Sequence, residues 1–447
     1  MGLGVHGGGV GVARFLARRG AQVTVTDLKN AEELQGSIKA LENLPITYVL
    51  SEHRESDFLT SDMIIRNPAV PRDHELLQKA RAQNIPIEME ISLFFRLCPA
   101  PIIGVTGTKG KTTTTLLTGA MLREQDPRTV VAGNLRVSAL DLLDQVDTTT
   151  PVVLELSSWQ CEGLAEPSVS PHLACITNLY PDHLNRYKDM ADYASAKTLI
   201  FLNQKAGDAV VLNADQQFSR DFANQAPARV IWFSRKQRLT GVYLRGDEIV
   251  HRADEQETVV ASCHDVQLPG EHNVENVLAA TALALAAGVH PSQIQSALRQ
   301  FRGVPHRLEL VRELNGVRWI NDTTATAPNA AIAALKAIGR DIVLIAGGAD
   351  KHLDFEAFGR SASLRAKHIL LLDGDAYYRL DAMIRFGGGG NKIVGRFYSM
   401  AEAVQKAREL AQPGDTVLLS PGCASFGMFK NEFDRGDQFR EIVQSLA

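Results

Sequence analysis

The run Val105-Thr106-Gly107-Thr108-Lys109-Gly110-Lys111-Thr112 follows an apolar stretch at 102–105 and precedes a helical pattern whose Leu116, Leu117, Ala120 and Met121 share one face. A strand that feeds a glycine-rich turn into a helix N-terminus is a phosphate cradle. Glycines let backbone N–H groups turn inward around phosphate oxygens, a lysine brings mobile positive charge to the β- and γ-phosphates, and the next threonine hydroxyl can hold magnesium. Such a loop sits on a parallel α/β layer, so it constrains the fold class before any other feature does. The usual pattern has its first glycine five residues before the second, and counted back from Gly110 that position is Val105, so the loop is a shortened variant. Gly107, Thr108, Lys109, Gly110, Lys111, Thr112 and Thr113 are the expected ATP-binding set.

Phosphoryl transfer also needs a carboxylate at a strand end to hold the metal. Val152-Val153-Leu154-Glu155 supplies one, although an apolar strand ending in glutamate is common and gains meaning only beside the loop. The stretch Ile176-Thr177-Asn178-Leu179-Tyr180-Pro181-Asp182-His183 again runs from apolar strand into turn and sets a carboxylate next to an imidazole. Downstream, Tyr193, Lys197, Ile200 and Phe201 fall on one helical stripe, which puts Lys197 on the apolar face. Burial disfavours an ammonium and makes the neutral amine reachable, which suits a functional or modified lysine. A lysine snorkelling from the edge of the stripe fits the same spacing.

Around these motifs the 447 residues read as three segments of alternating strands and helices, 1–98, 99–302 and 303–447. Cys98-Pro99-Ala100-Pro101 favours extended backbone and is the expected first linker. The last segment holds strand patterns at 317–320, 342–346, 368–372 and 416–419, with helical patterns at 329–338 and 400–410 between them. The first opens on Gly2, Gly4 and Gly7, with Asp27 twenty residues further on, which matches a dinucleotide fingerprint. That pattern alone suggests an NAD-dependent oxidoreductase, but the same geometry binds any pyrophosphate, and a second, ATP-type loop points instead to a nucleotide-diphosphate substrate. Because a strand normally feeds such glycines, the chain as given is expected to lack its first strand.

A net charge of −4 and 45% hydrophobic residues argue against a disordered chain and against a polybasic nucleic-acid binder. No apolar run is long enough to span a bilayer and the start does not read as a signal peptide, so no membrane association is expected. The five scattered cysteines suggest neither a disulfide frame nor a zinc site, and a cytoplasmic protein is expected.

Taken in order, the motifs resemble those of the Mur ligases of bacterial cell-wall synthesis, relatives of folylpolyglutamate synthetase. The resemblance covers essentially the whole chain: the glycine-rich opening, the phosphate loop, Glu155-Leu156-Ser157-Ser158, Thr177-Asn178 with Asp182-His183, Lys197, His272-Asn273, Pro305-His306-Arg307, Asn321-Asp322, Lys351, and Ser420-Pro421 through Gly436. Asn67-Pro68-Ala69-Val70-Pro71, with Ile85-Pro86 and Glu90-Ile91, is similar to the branch that adds glutamate to UDP-N-acetylmuramoyl-L-alanine.

The resemblance implies three domains: a Rossmann-like UDP-binding domain, a central P-loop ATPase-like domain and a Rossmann-like C-terminal domain. It implies an ADP-forming ligase working through an acyl phosphate, with UDP-N-acetylmuramoyl-L-alanine and glutamate as substrates and a monomeric state. Gly4, Val5, His6, Gly7, Leu28, Lys29, Asn67 and Asn134 would bind the UDP substrate. Asn273, Arg307 and Asp322 would join the loop on ATP, with Lys111, His183 and Lys197 catalytic. Two magnesium ions would be held by Thr112, Glu155, His183 and Lys197, the last carbamylated by CO2. Thr326, Lys351, Ser425 and Phe433 would hold glutamate.

Two departures bear on which glutamate enantiomer is taken. The family's Asn-Asp-Ser-Lys-Ala-Thr appears as Asn321-Asp322-Thr323-Thr324-Ala325-Thr326, without its lysine, and the glutamate-side motif reads Lys430-Asn431-Glu432-Phe433-Asp434-Arg435-Gly436. An L-glutamate-adding branch is therefore the alternative within the family. A nucleotide-binding relative without chemistry is the alternative outside it, and retention of Lys111, Glu155, His183 and Lys197 together speaks against that.

Overall fold

Strand residues of the central segment alternate between two apolar layers. In the computed structural model Ile102, Val152, Leu154, Ala174, Ile176, Val210 and Leu212 enter one buried cluster, while Ile103, Val105, Val153, Leu173, Cys175 and Val211 enter another. A strand whose successive side chains are all buried belongs to a sheet covered on both faces, which is the parallel arrangement. All residues are described except 6, 136, 137, 185, 267, 269, 270, 352 and 447 and the side chain of 271. The chain divides into two units, Met1–Phe301 and Arg302–Ala447.

The first unit begins with four short strands, β1 (Val23–Asp27), β2 (Ile46–Leu50), β3 (Ile64–Ile65) and β4 (Ile87–Glu88), paired in parallel as β1-β2 and β3-β4. Met1 and Gly2 lie between the two ladders. The Met1 ammonium donates to Ile65 O at 2.9 Å, Gly2 N to Thr26 O at 2.7 Å, and Asn67 N to Met1 O at 2.9 Å. The first two residues thus bond to the ends of both ladders. The Gly8–Arg18 helix follows the glycines, burying Val10, Val12, Ala13 and Phe15.

Nine strands form the central sheet: β5 (Ile102–Thr106), β6 (Val130–Gly133), β7 (Val152–Glu155), β8 (Leu173–Ile176), β9 (Ala209–Asn213), β10 (Arg229–Ser234), β11 (Gly241–Arg245), β12 (Glu248–Ala253) and β13 (Gln256–Ser262). Their order is β13-β12-β11-β10-β9-β8-β5-β7-β6, parallel from β6 to β11 and antiparallel at β11-β12-β13. The reversal of strand order beside β5 opens the crevice at the carboxyl ends of β5, β7 and β8, where ligands bind in such sheets. The expected helix at 273–287 is Glu271–Ala286, whose Val277, Leu278, Ala280 and Leu283 pack into the second apolar layer.

The second unit holds a six-stranded sheet of β14 (Glu309–Leu314), β15 (Val317–Asn321), β16 (Ile342–Gly347), β17 (Ala366–Leu372), β18 (Ile393–Phe397) and β19 (Thr416–Leu419), ordered β14-β15-β19-β16-β17-β18. Only β14 runs antiparallel to its neighbour. The four strands read from sequence are present, and β14 and β18 join them at the edges. Both edge strands are half-exposed and mix charged with apolar residues, which hides them from a search for apolar runs. Among the described residues no helix is long and apolar enough to cross a membrane.

Candidate active site

The carboxyl end of β5 releases the chain at Thr106 into the phosphate loop, and the Lys111–Arg123 helix takes it up. Gly107 has φ 147° and Gly110, at the helix N-cap, φ 81°, in the region that penalises a side chain. Space forbids one as well: a Cβ would lie 2.0 Å from Thr177 Oγ1 at Gly107 and 2.0 Å from Asn276 Oδ1 at Gly110. The segment after β8 then pins the turn. Thr108 N donates to Asn178 O (3.0 Å) and Lys109 N to Asn178 Oδ1 (2.8 Å), while Asn178 Nδ2 (3.0 Å) and Thr177 Oγ1 (2.7 Å) both donate to Lys109 O. A loop held at both sides this way keeps its amides aimed without reorganising when a phosphate arrives.

Both candidate lysines reach the loop. Lys111 Nζ donates to Gly107 O at 3.1 Å and Thr108 O at 3.0 Å, and Lys197 Nζ donates to Gly107 O at 2.9 Å. Lys197 is 1% exposed and its ammonium lies 4.6 Å from the Tyr193 ring centroid. Burial lowers its pKa from 10.5 to about 7, with the Lys111 charge adding to the effect and the Cys161 and Asp182 side chains opposing it. Of the two readings the helical stripe left open, the buried one is what the fold adopts. Snorkelling is excluded because the head group ends inside.

Glu155 closes β7, paired in register with Val105 on β5, and is buried. Its Oε1 accepts from Asn134 Nδ2 at 2.8 Å, and its Oε2 is buried without a hydrogen-bond partner among the described residues. A buried carboxylate oxygen left unsatisfied is costly, and a cation is the partner that would repay it. His183, with φ 54°, is exposed, its ring 5.8 Å from Trp159 and 6.1 Å from Tyr193. Among the described residues no three His, Cys, Asp or Glu side chains gather into a ready-made metal cage. Magnesium does not need one, since it takes one or two carboxylates and fills the rest of its shell with water and substrate phosphate. Glu155 beside the loop, with Thr112 half-buried at the helix start, fits that donor chemistry. Asn134, expected on the UDP-sugar, is tied to this carboxylate.

The glycine-rich opening is organised by Asp27. Its Oδ2 accepts from Gly4 N at 3.0 Å and its Oδ1 from Lys29 N at 2.9 Å. Asn67 stands beside the loop, with Nδ2 3.4 Å from where a Cβ on Gly4 would sit. Gly7 caps the following helix with φ 91°, and Val5, Leu28 and Lys29 are exposed around it. Gly4, Val5, Gly7, Leu28, Lys29 and Asn67 are thus brought together, and His6 lies outside the described residues. On the Glu271–Ala286 helix, Asn273 Oδ1 accepts from Asn276 Nδ2 at 3.1 Å, so Asn273 stands one turn from the residue packed on Gly110.

The remaining candidates belong to the second unit. Asp322 follows β15, buried, accepting from Ser420 Oγ at 2.7 Å and Leu308 N at 3.2 Å. Burial pushes its pKa up to about 6 against those hydrogen bonds and the charge of Arg307, which is itself exposed. Lys351 Nζ donates to Thr326 Oγ1 at 3.2 Å, Ser425 is buried, and the Phe433 ring meets His306 edge-on at 5.4 Å. At the position lacking the family lysine, Thr324 Oγ1 donates to His306 O at 2.8 Å.

Some participants were not singled out from sequence. Asn276 and Trp159 need the folded chain to reveal them, because each acts across elements distant in sequence. Arg186 is another: its guanidinium lies 4.4 Å from the Trp159 ring and donates to Pro68 O (3.1 Å) and Glu162 Oε2 (3.1 Å), linking the turn after Asn67 to the His183 segment. Its place three residues after His183 was the available signal.

A phosphate loop on a parallel sheet, with an unsatisfied carboxylate on the next strand and a buried lysine on the loop carbonyl, defines a nucleotide-dependent phosphoryl-transfer protein. The chain belongs to the Mur ligase family. Residues 1–88 match the Mur ligase MurD-like N-terminal domain, 105–284 the Mur ligase middle domain and 306–423 the Mur ligase glutamate ligase domain. It is 54% identical to the UDP-N-acetylmuramoylalanine--D-glutamate ligase of Roseiflexus sp. (strain RS-1), over 100% of this chain and 98% of that one. The protein of the same name from Symbiobacterium thermophilum is 40% identical, over 98% of this chain and 97% of that one. Among solved structures, MurF from Acinetobacter baumannii shares the fold with TM-score 0.60 at 19% identity, covering 96% of this chain and 92% of that one. MurC from Thermotoga maritima does so with TM-score 0.58 at 23% identity, covering 99% and 98%. A MurD-like N-terminal domain removes the oxidoreductase reading of the opening glycines.

Proposed function

We propose that this chain is an ATP-dependent ligase that adds D-glutamate to UDP-N-acetylmuramoyl-L-alanine, forming ADP and phosphate, in peptidoglycan precursor synthesis in the cytoplasm. The observation that carries the reading is the meeting of Lys111, Lys197 and the unpaired Glu155 Oε2 around one phosphate loop. The full-length relatives named for D-glutamate favour that enantiomer over the L form. The domain limits proposed are 1–98 for UDP, 99–302 for ATP and 303–447 for glutamate, acting within a monomer.

A carboxylate is a poor electrophile, so the alanine carboxylate must first be activated. One of its oxygens bonds to the γ-phosphorus of ATP as the bond to ADP breaks; the glutamate amine then attacks the acyl carbon, phosphate leaves, and the amine proton goes to solvent or a nearby base. Two oxyanions have to approach, and Lys111, held on Gly107 O and Thr108 O, is placed to offset that repulsion. The loop amides and Thr112 orient the phosphates, and Gly4, Gly7 and Asn67 hold the UDP end. Magnesium, when bound, would supply charge neutralisation, and Thr112, Glu155, His183 and a carbamylated Lys197 are the residues that would hold its two ions. Lys197 becomes a ligand if its neutral amine takes up CO2, since the carbamate is an anion where the ammonium was a cation. A pKa near 7 makes that amine available at physiological pH.

The test is ADP release from MgATP and UDP-N-acetylmuramoyl-L-alanine, with D- and L-glutamate supplied separately. Amide formation with D-glutamate alone is expected. Turnover with neither enantiomer would overturn the proposal, and turnover with the L form would move it to the alternative branch.

A further inference from the structure

Arg435, on the Glu432–Ser445 helix, is among the largest fully buried side chains in the protein. Its guanidinium makes four hydrogen bonds among the described residues, all to neutral oxygens. Nε donates to Thr323 Oγ1 (2.9 Å), Nη2 to Thr323 O (2.8 Å), and Nη1 to Cys423 O (3.3 Å) and Ala424 O (3.2 Å). Burial lowers its pKa to about 10, which leaves the group charged at neutral pH. A buried cation whose hydrogen bonds go only to neutral groups is a poor way to stabilise a core, and an apolar side chain of that volume would serve better. The position therefore does something other than fill space.

The segments it ties together are telling. Thr323 begins the turn that ends in Thr326, and Cys423 and Ala424 lead directly into Ser425. Ala424 is in turn bonded both ways to Ala349, N to O at 3.0 and 3.1 Å, two residues before Lys351. The approach at that bridge is close: a Cβ on Gly348 would stand 2.2 Å from Ala424 O and 3.4 Å from Arg435 Nη1. Phe433 lies two residues before Arg435 on the same helix. One planar fork, with donors in fixed directions, thus ties its own helix to the Thr323 and Cys423–Ala424 segments, and through Ala424 to the segment before Lys351, a task a lysine cannot repeat.

We propose that Arg435 is the positioning residue of the glutamate pocket, a buried guanidinium that locks the segments bearing Thr326, Ser425, Lys351 and Phe433 in register for an incoming amino acid. This rests on the reading that those four residues receive glutamate. The buried charge is opposed through space by Cys423 and Glu432, and its hydrogen bonds go to the segments that carry the pocket.

The experiment compares Arg435→Lys and Arg435→Met with wild type in the complete ligase reaction, measuring KM separately for glutamate, ATP and the UDP-sugar substrate. Thermal unfolding is followed in parallel, with Thr326→Val as the pocket control. We expect the KM for glutamate to rise about tenfold or more in both Arg435 variants, as for the loss of charge-assisted hydrogen bonds, with the other two KM values within about twofold. Added glutamate should also raise the unfolding midpoint of wild type more than that of either variant. Should Arg435→Met fail to fold, Arg435→Lys decides. If Thr326→Val raises the glutamate KM while the Arg435 variants shift all three KM values together or none, the positioning role is overturned and the pocket stands. If Thr326→Val leaves the glutamate KM untouched, the pocket assignment falls and the proposal with it.

Discussion

Replacing Lys197 by methionine separates a buried, titrating amine from a merely apolar one. Lys197 is 1% exposed, and burial brings its pKa from 10.5 down to about 7. Between those values the unfolded chain holds a proton that the folded chain has released, so stability rises with pH. The full interval is worth ~5 kcal/mol at ~1.4 kcal/mol per tenfold change in proton affinity. Going from pH 7 to pH 9, wild type should gain about 2 to 3 kcal/mol from this group alone, whereas Lys197→Met should lose that component of the slope and exceed wild type most at pH 6. The assay is urea unfolding from pH 6 to 9 in nucleotide-free, CO2-depleted buffer, because a carbamate would replace the titrating amine with an anion. Parallel pH profiles for the two proteins would refute the argument that the ammonium is held in a desolvated site. Activity completes the picture: Lys197→Ala should be nearly inactive, with partial recovery on adding a small carboxylic acid if an anionic oxygen ligand is what the position supplies.

Further expectations can be checked singly. Lys111→Ala should reduce ADP release by at least ~100-fold, as for removal of a group that stabilises transferring charge; near-normal turnover would take the loop out of the reaction. Gly110→Ala places a Cβ 2.0 Å from Asn276 Oδ1 at φ 81°, and should cost about 1–3 kcal/mol in unfolding free energy while weakening ATP binding measured by calorimetry. Asp322, raised by burial from 3.8 to about 6, binds its proton more tightly folded than unfolded, so the stability it lends below pH 4 is lost as pH climbs through 6. That loss amounts to about 3 kcal/mol, and Asp322→Asn should protect the amides of the 302–447 unit from hydrogen exchange at pH 7.5 while reducing turnover.

The parts of this protein legible in sequence are those whose chemistry is local. A phosphate loop needs its glycines, lysine and threonine within a few residues of one another, so 105–112 announced both the α/β class and the nucleotide. The stripe of Tyr193, Lys197, Ile200 and Phe201 likewise carried the burial of Lys197, because helical spacing is a short-range property. Glu155 was weaker: its significance lies in an unpaired oxygen and in Asn134, twenty-one residues away. Strands β12 and β13 and the edges β14 and β18 went unread because they mix polar and apolar residues without a regular period. Arg435 was quoted as part of a motif, yet an arginine on a polar helix reads as solvent-facing. Only the packing of Thr323, Cys423 and Ala424 around it reveals a buried charge. At the start of the chain, Met1 and Gly2 make three hydrogen bonds to the ends of the flanking ladders, long-range contacts that no local pattern encodes.

The central claim is that ATP activates a carboxylate by direct phosphorylation. UDP-N-acetylmuramoyl-L-alanine carrying oxygen-18 in its alanine carboxylate, turned over with MgATP and D-glutamate, tests it in one step by mass analysis of the released phosphate. The account predicts one heavy oxygen in each phosphate formed, carried over when the acyl phosphate breaks; unlabelled phosphate accompanying labelled amide product would contradict it.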